Sequence, residues 1–454
     1  MLAEMGGAAY RQAVSTAREL WEKVYRRFDP EEPAEAPWRA KRPYAPSEDI
    51  LAQLARPGTM GRKHFVIFGT VGGGKSTELR ALAEGALPKS VVVLVDLYQH
   101  FLERLGDPAA LEQLQPWEAV AVVGLSVVGA AQRFHRPVDT ERLQTALQDL
   151  VPEDGKAGTL NVLRLAGGVA ALAGTAVGGI GTAAGAGLSA LGTALSAGKW
   201  DLPLGLSQRE PKPDQDPRVQ RLVEAVHGVI ADLQDKFGRL TLVIDGLDRI
   251  ESSEASRRLL VDSALLGGLP CAVVLSAPIA LRREGMASRV RGFDPKPLHN
   301  VPVLRQDEPS APNPLGMAFF AELWRLRTSD LENGEGLIPP ALLERLAFYS
   351  GGHLRQLTKL VRTTAEFAWD ADVLEATSEH VDASIEQWRQ TTEAGLTRHH
   401  LDILEQVRED PAHLLPDTEG AADLLVNRWL LPYPNQSTWY YPNPLLSLGL
   451  MKRA

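Results

Sequence analysis

Cysteine is almost missing from this 454-residue chain, Cys271 being the single one. A disulfide framework and a thiolate zinc cluster are therefore both excluded. Cys271 lies in the apolar run Cys271-Ala272-Val273-Val274-Leu275, the pattern of a buried strand. An excess of positive charge is lacking too. The 48 Lys and Arg residues stand against 57 Asp and Glu, a net charge of −9. That argues against a whole-molecule attraction to nucleic acid, though not against a local basic patch. The first residues, Met1-Leu2-Ala3-Glu4-Met5-Gly6, lack the basic start and apolar core of a signal peptide, so a cytoplasmic location is expected. One stretch, residues 165–198, has no charge at all; glycine and alanine dominate it, with only eight Leu, Ile or Val residues. A pair of membrane spans needs about twenty predominantly apolar residues each. Small residues equally suit a tightly packed hairpin or a flexible insert. A packed hairpin, disorder and membrane contact all stay open for it.

What the chain does have is one strong motif. His64-Phe65-Val66-Ile67-Phe68 runs into Gly69-Thr70-Val71-Gly72-Gly73-Gly74-Lys75-Ser76-Thr77, and Glu78-Leu79-Arg80-Ala81-Leu82 continues with helical character. Strand, glycine-rich loop and helix in that order, with the spacing Gly69-x-x-x-x-Gly74-Lys75-Ser76, make a Walker A pattern. Glycines let backbone N–H groups turn inward around the β- and γ-phosphates without Cβ clashes. The helix N-terminus adds partial positive charge. Lys75 is placed to neutralise phosphate oxygens and Ser76 to ligate magnesium. ATP and Mg2+ are the ligands this pattern expects, held by residues 69–77. The bland reading is a glycine-rich loop that fits the spacing by accident.

A second acidic constellation follows: Leu242-Val243-Ile244-Asp245-Gly246-Leu247-Asp248-Arg249. Asp245 ends an apolar strand, where a Walker B carboxylate sits to hold the magnesium shell opposite Ser76. An ordinary Asp-Gly turn closing a strand is the competing reading.

The remaining chain is organised around these two motifs. Residues 1–46 read as an amphipathic helix, 7–28, followed by a proline-rich linker. Ser47 is expected to cap a short helix over 48–54. Residues 47–330 form the nucleotide-binding core. Its second strand is Val91-Val92-Val93-Leu94-Val95-Asp96-Leu97, and the next clear strands begin at Leu240 and Ala272. The gap before Leu240 exceeds what a crossover helix needs. It holds helices over 117–134, 139–150 and 218–237, and residues 100–217 are read as an insertion. A helical lid is expected over 331–394. Residues 395–454 give two helices and two short strands about an Asn-centred turn.

The order of motifs resembles the AAA+ superfamily, and within it the origin-recognition-type initiators and the signal-transducing NTPases. The resemblance spans residues 47 to the C-terminus. It implies an α/β fold, a five-stranded parallel P-loop core with a large insertion, an α-helical lid and a C-terminal winged-helix-like domain, with a site shared between subunits. Leu275-Ser276-Ala277-Pro278 is similar to the sensor 1 strand end, which gives Ser276 a γ-phosphate-side role. Ser288-Arg289-Val290-Arg291 is similar to the arginine-finger segment, before a fifth strand expected over 299–304. Ser350-Gly351-Gly352-His353-Leu354-Arg355 resembles the lid motif in which Arg355 acts as sensor 2. One departure stands out: AAA+ hydrolases usually carry a glutamate directly after the Walker B aspartate, and this chain has Gly246. Asp248 instead resembles the Asp-Gly-x-Asp arrangement of signal-transducing NTPases. A displaced, shorter carboxylate implies slow turnover, since a positioned base contributes about 10²–10⁴ in rate.

The expected activity is therefore a Mg-ATP-dependent switch ATPase that forms a homo-oligomer and acts on a protein partner. A DNA-binding initiator or loader is the second reading. Residues 401–430 carry seven Asp and Glu against only Arg408 and Arg428, the wrong balance for a helix facing phosphates. The aromatic wing Tyr433, Trp439, Tyr440, Tyr441 can pack on the lid or meet a protein. A third reading is a membrane-associated NTPase resembling the KAP group, and a fourth is a nucleotide-binding scaffold without turnover.

Overall fold

The computed structural model describes residues 7–57, 63–98, 108–135, 138–150, 216–418, 420–434 and 438–446. The uncharged stretch 165–198 and the turn at 435–437 lie outside the described residues. The chain divides into two compact units. One comprises Pro46–Gly69 and Lys75–Pro297; the other comprises Met1–Ala45, Thr70–Gly74 and Leu298–Ala454. The segment 298–330, expected in the core, thus packs with the lid.

The first unit is built on a parallel five-stranded sheet in the order β2-β3-β4-β1-β5. Its strands are β1 His64–Gly69, β2 Val91–Asp96, β3 Leu240–Asp245, β4 Ala272–Pro278 and β5 Asp294–Pro297. The apolar runs of the central strands are buried on both faces, as a sheet covered on both sides requires. Their register sets the site: Ile244 pairs Leu275 and Ile67 pairs Ser276, so the ends of β1, β3 and β4 fall side by side.

The fifth strand is not where the sequence placed it. It is Asp-Pro-Lys-Pro over Asp294–Pro297, paired only with β1, while residues 299–304 belong to the other unit. Proline lacks the N–H that a central strand needs, and an edge strand leaves one side unpaired, so this sequence fits only an edge. In the other unit the Val301 N–H donates to the Gly352 carbonyl instead.

Between β2 and β3 come three helices, Pro116–Arg133, Glu141–Leu150 and Pro217–Phe237. The first is apolar on every side and buried throughout, which marks it as an interior helix. Gly124 lets it approach the third closely; a Cβ there would lie 2.6 Å from a Val226 methyl. Among the described residues no helix is long and apolar enough to cross a membrane. Ser47 does not cap. The helix Pro46–Leu54 already includes it, and its hydroxyl donates to the buried Glu78 carboxylate at 2.7 Å.

In the second unit the helix Gly7–Arg27 lays Leu20, Trp21 and Val24 into one core with Leu357, Leu360 and Val361 of the helix Leu354–Asp370. Burying each such side chain stabilises by about 1.5–3 kcal/mol. The Trp21 indole N–H donates to the Val373 carbonyl at 2.7 Å, and the Arg362 guanidinium covers the Tyr25 ring at 3.8 Å. Helices Pro314–Thr328, Pro340–Tyr349 and Ser378–Glu393 complete the body. Helices Arg398–Glu409 and Ala421–Val426 then lead to an antiparallel hairpin, β6 Leu430–Tyr433 and β7 Trp439–Pro442. Its aromatics face inward: Tyr433 and Trp439 stack at 4.8 Å and are buried in the same core as the lid helices.

Candidate functional site

In the first unit, five polar side chains converge at the C-terminal edge of the sheet. Lys75 opens the helix Lys75–Ala86 and is buried. Its ammonium donates to the Gly69 carbonyl at 2.6 Å and pairs with Asp248 Oδ2 at 2.9 Å. The Ser276 hydroxyl, at the end of β4, lies 3.0 Å from Asp245 Oδ1 and 3.2 Å from Asp248 Oδ1. The Asp245 carboxylate also accepts from Ser76 and, at 2.8 Å, from the Gly246 N–H.

Burial, reinforced by the neighbouring Asp248 carboxylate, pushes the Asp245 carboxyl above its ordinary range, and the bonds from Ser76, Gly246 and Ser276 only partly oppose this. The site is short of positive charge beside its carboxylates. Its donors are all oxygen, a hydroxyl and a carboxylate, which suits a hard divalent cation such as Mg2+. Ser76 and Asp245 are the pair placed to hold one.

The absence of a glutamate after Asp245 has a steric cause. Gly246 adopts φ +90, and a Cβ on it would lie 2.4 Å from the Tyr98 backbone nitrogen. No side chain fits there while the backbone keeps this course. The 3₁₀ turn Leu247–Arg249 that follows swings Asp248 back toward Lys75.

The tip of the glycine loop, Thr70–Gly74, groups with the second unit. The Gly73 N–H closes on the Thr70 carbonyl at 3.0 Å. Gly72 and Gly74 have φ +80 and +97, and both face the lid helix: added Cβ atoms would lie 2.8 Å from Arg355 Cβ and 2.6 Å from Leu354 Cδ1. The lid helix Leu354–Asp370 is entered through Gly351 and Gly352, at φ +60 and +71, with His353 as N-cap. The His353 ring accepts the Gln356 N–H on Nδ1, which leaves the proton on Nε2 to donate to the Val71 carbonyl at 2.9 Å. The Arg355 N–H donates to the Gly72 carbonyl at 3.1 Å. The Arg355 guanidinium turns to the linker, where it meets the Pro30 carbonyl at 3.0 Å and the Glu31 carboxylate at 3.1 Å. The hairpin reaches the same turn, the Tyr433 hydroxyl donating to the Gly351 carbonyl at 2.8 Å.

Of the residues singled out in the sequence, the first unit brings Lys75, Ser76, Asp245, Asp248 and Ser276 together. Arg289 and Arg291 are exposed and share no described hydrogen bond or ion pair with those five. Two contacts on the loop escaped sequence reasoning. His353 carried a signal, its position between a glycine pair and a helix. Arg42, whose guanidinium donates to the Gly73 carbonyl at 2.5 Å, carried none beyond its place in a proline-rich stretch.

This sheet order, a glycine-rich loop leaving β1 and an acidic strand end two strands away define the class: an α/β P-loop nucleotide-binding core of the AAA+ type. No protein-family profile and no curated protein matches the chain. Among solved structures it is similar to the Aeropyrum pernix ORC2 protein in ADPNP–ADP complexes, at 12% identity over 94% of this chain and 96% of that one, with a TM-score of 0.41. It is also similar to the Aeropyrum pernix ORC1 protein in complex with DNA, at 11% identity over 89% and 90%, TM-score 0.38. A RuvB point mutant from Thermotoga-type bacteria, printed as Thermogota maritima, matches at 17% identity over 40% of this chain and 56% of that one, TM-score 0.21. At such identities and TM-scores the class rests on the sheet order and the site, not on these likenesses.

Proposed function

We propose that the protein is a switch ATPase that binds Mg-ATP on the Gly69–Ser76 loop and turns it over slowly. The observation that carries this reading is the buried Lys75–Asp248 pair beside Asp245 and Ser276. Lys75 is the residue placed to meet the β- and γ-phosphates. Gly246 offers no side chain, so Asp248 is the nearest carboxylate that could orient an attacking water. Engaged with Lys75 and Ser276, it is a weak base for the purpose, and slow turnover follows. Ser76 and Asp245 would hold magnesium, which when bound supplies the positive charge that steadies the phosphates. Arg289 and Arg291 are exposed, as residues serving a neighbouring subunit must be, and this supports assembly into a homo-oligomer. A protein partner would read the state of the lid.

The test is steady-state ATP hydrolysis by the native chain, Lys75→Ala and Asp248→Asn. The reading expects slow native turnover, none above background in Lys75→Ala, and at least a tenfold loss in Asp248→Asn. Unchanged hydrolysis in Asp248→Asn would remove its assigned role. Native turnover equal to that of Lys75→Ala would leave a binding scaffold.

A further inference from the structure

Three successive carbonyls of the loop are held from outside it. The Val71 carbonyl accepts from the His353 ring, the Gly72 carbonyl from the Arg355 N–H, and the Gly73 carbonyl from Arg42. In a trans peptide the carbonyl and the following N–H point in opposite directions. Fixing these three oxygens toward the lid and the linker therefore fixes the N–H groups of Gly72, Gly73 and Gly74 the other way. The Gly73 N–H is taken by Thr70, which leaves those of Gly72 and Gly74 aimed away from lid and linker. Oriented N–H groups of this kind make an anion-binding nest.

Arg42 differs from the other two holders. It comes from the segment before the core, it is 6% exposed, and its second amino group donates to the His299 carbonyl. Neither of these acceptors is a carboxylate. A buried guanidinium bound to two backbone carbonyls is a costly arrangement, kept only where its geometry matters. Gly74 makes room for it, since a Cβ there would lie 2.9 Å from an Arg42 amino nitrogen.

We infer that Arg42 is a positioning residue of the phosphate loop, so that nucleotide affinity depends on the N-terminal linker being docked. The inference rests on the nucleotide-binding reading of residues 69–76. By linkage the dependence is reciprocal: bound nucleotide holds the linker in place.

The test uses the full chain and a fluorescent ADP analogue with Mg2+. Arg42→Ala should bind about tenfold more weakly, the loss expected when a hydrogen bond from a charged group is removed. Arg42→Lys, which keeps the charge but cannot span both carbonyls, should fall between it and the native chain. Both are compared at matched circular dichroism, and a purely structural pin would leave affinity unchanged in the folded fraction. In the native chain ADP should slow tryptic cleavage after Arg39 and Lys41 severalfold, and in Lys75→Ala it should not. Native-like affinity in both Arg42 variants, with binding lost in Lys75→Ala, overturns the inference and leaves the nucleotide reading standing. Failure of the native chain to bind at all overturns both, and should Arg42→Ala not fold, Arg42→Lys decides alone.

Discussion

Asp248 and Gly246 show how one backbone turn replaces a missing side chain. The left-handed turn at Gly246 excludes a glutamate there and returns the next acidic residue to Lys75. Installing the glutamate should therefore not speed the reaction. Gly246→Glu is expected to lower stability by about 1–3 kcal/mol, through strain at a positive φ, and to show no gain in ATPase rate. A denaturant midpoint and a turnover assay measure the two effects. Asp248→Ala leaves Lys75 buried without its partner and should cost about 3–5 kcal/mol, readable in the same denaturant titration. Cys271 gives a third expectation. Burial raises its thiol from 9.0 to about 12. A folded pKa above the unfolded one contributes stability that is complete below pH 9 and is lost as pH rises toward 12. In Cys271→Ala that alkaline loss should shrink, and the native thiol should resist alkylation at pH 8 until the protein is unfolded.

At the scale of elements, legibility followed burial. Strands β1 to β4 could be read from the sequence because both faces are covered and each is a continuous apolar run. The fifth could not, because an edge strand of Asp-Pro-Lys-Pro carries no apolar signal, whereas residues 299–304 do and spend it in the other unit's core. The site divided in the same way. Lys75, Ser76 and Asp245 follow from spacing, since phosphate chemistry fixes it. Arg42 does not, because its partners are backbone carbonyls distant in sequence, and a carbonyl leaves no mark on residue choice. The lid entrance is the most constrained turn. A Cβ on Gly352 would lie 1.8 Å from the Val301 carbonyl oxygen at φ +71. Gly352→Ala should cost about 3 kcal/mol or more and lower the thermal midpoint accordingly.

For the whole molecule, the chain passes between its two compact units at the phosphate loop as well as in the linker before Pro46 and after Pro297. The loop's tip belongs with the lid and its lysine with the sheet. A ligand gripping both ends of such a loop acts on both units through covalent continuity alone, which is what a switch requires. The second unit adds a hydrogen-bonded route from the hairpin, through Tyr433 and the glycine pair, to His353 and Val71. If exposed Arg289 and Arg291 serve a neighbour, subunit mass in solution should rise with ATP and Mg2+ and stay unchanged in Lys75→Ala.

The central claim is that residues 69–76 hold a nucleotide, and calorimetric titration of the native chain with ATP and Mg2+ tests it most directly. One nucleotide per chain, with binding abolished in folded Lys75→Ala and magnesium dependence lost in Asp245→Asn, is the predicted result. No heat of binding in the native chain, or equal affinity in Lys75→Ala, contradicts it.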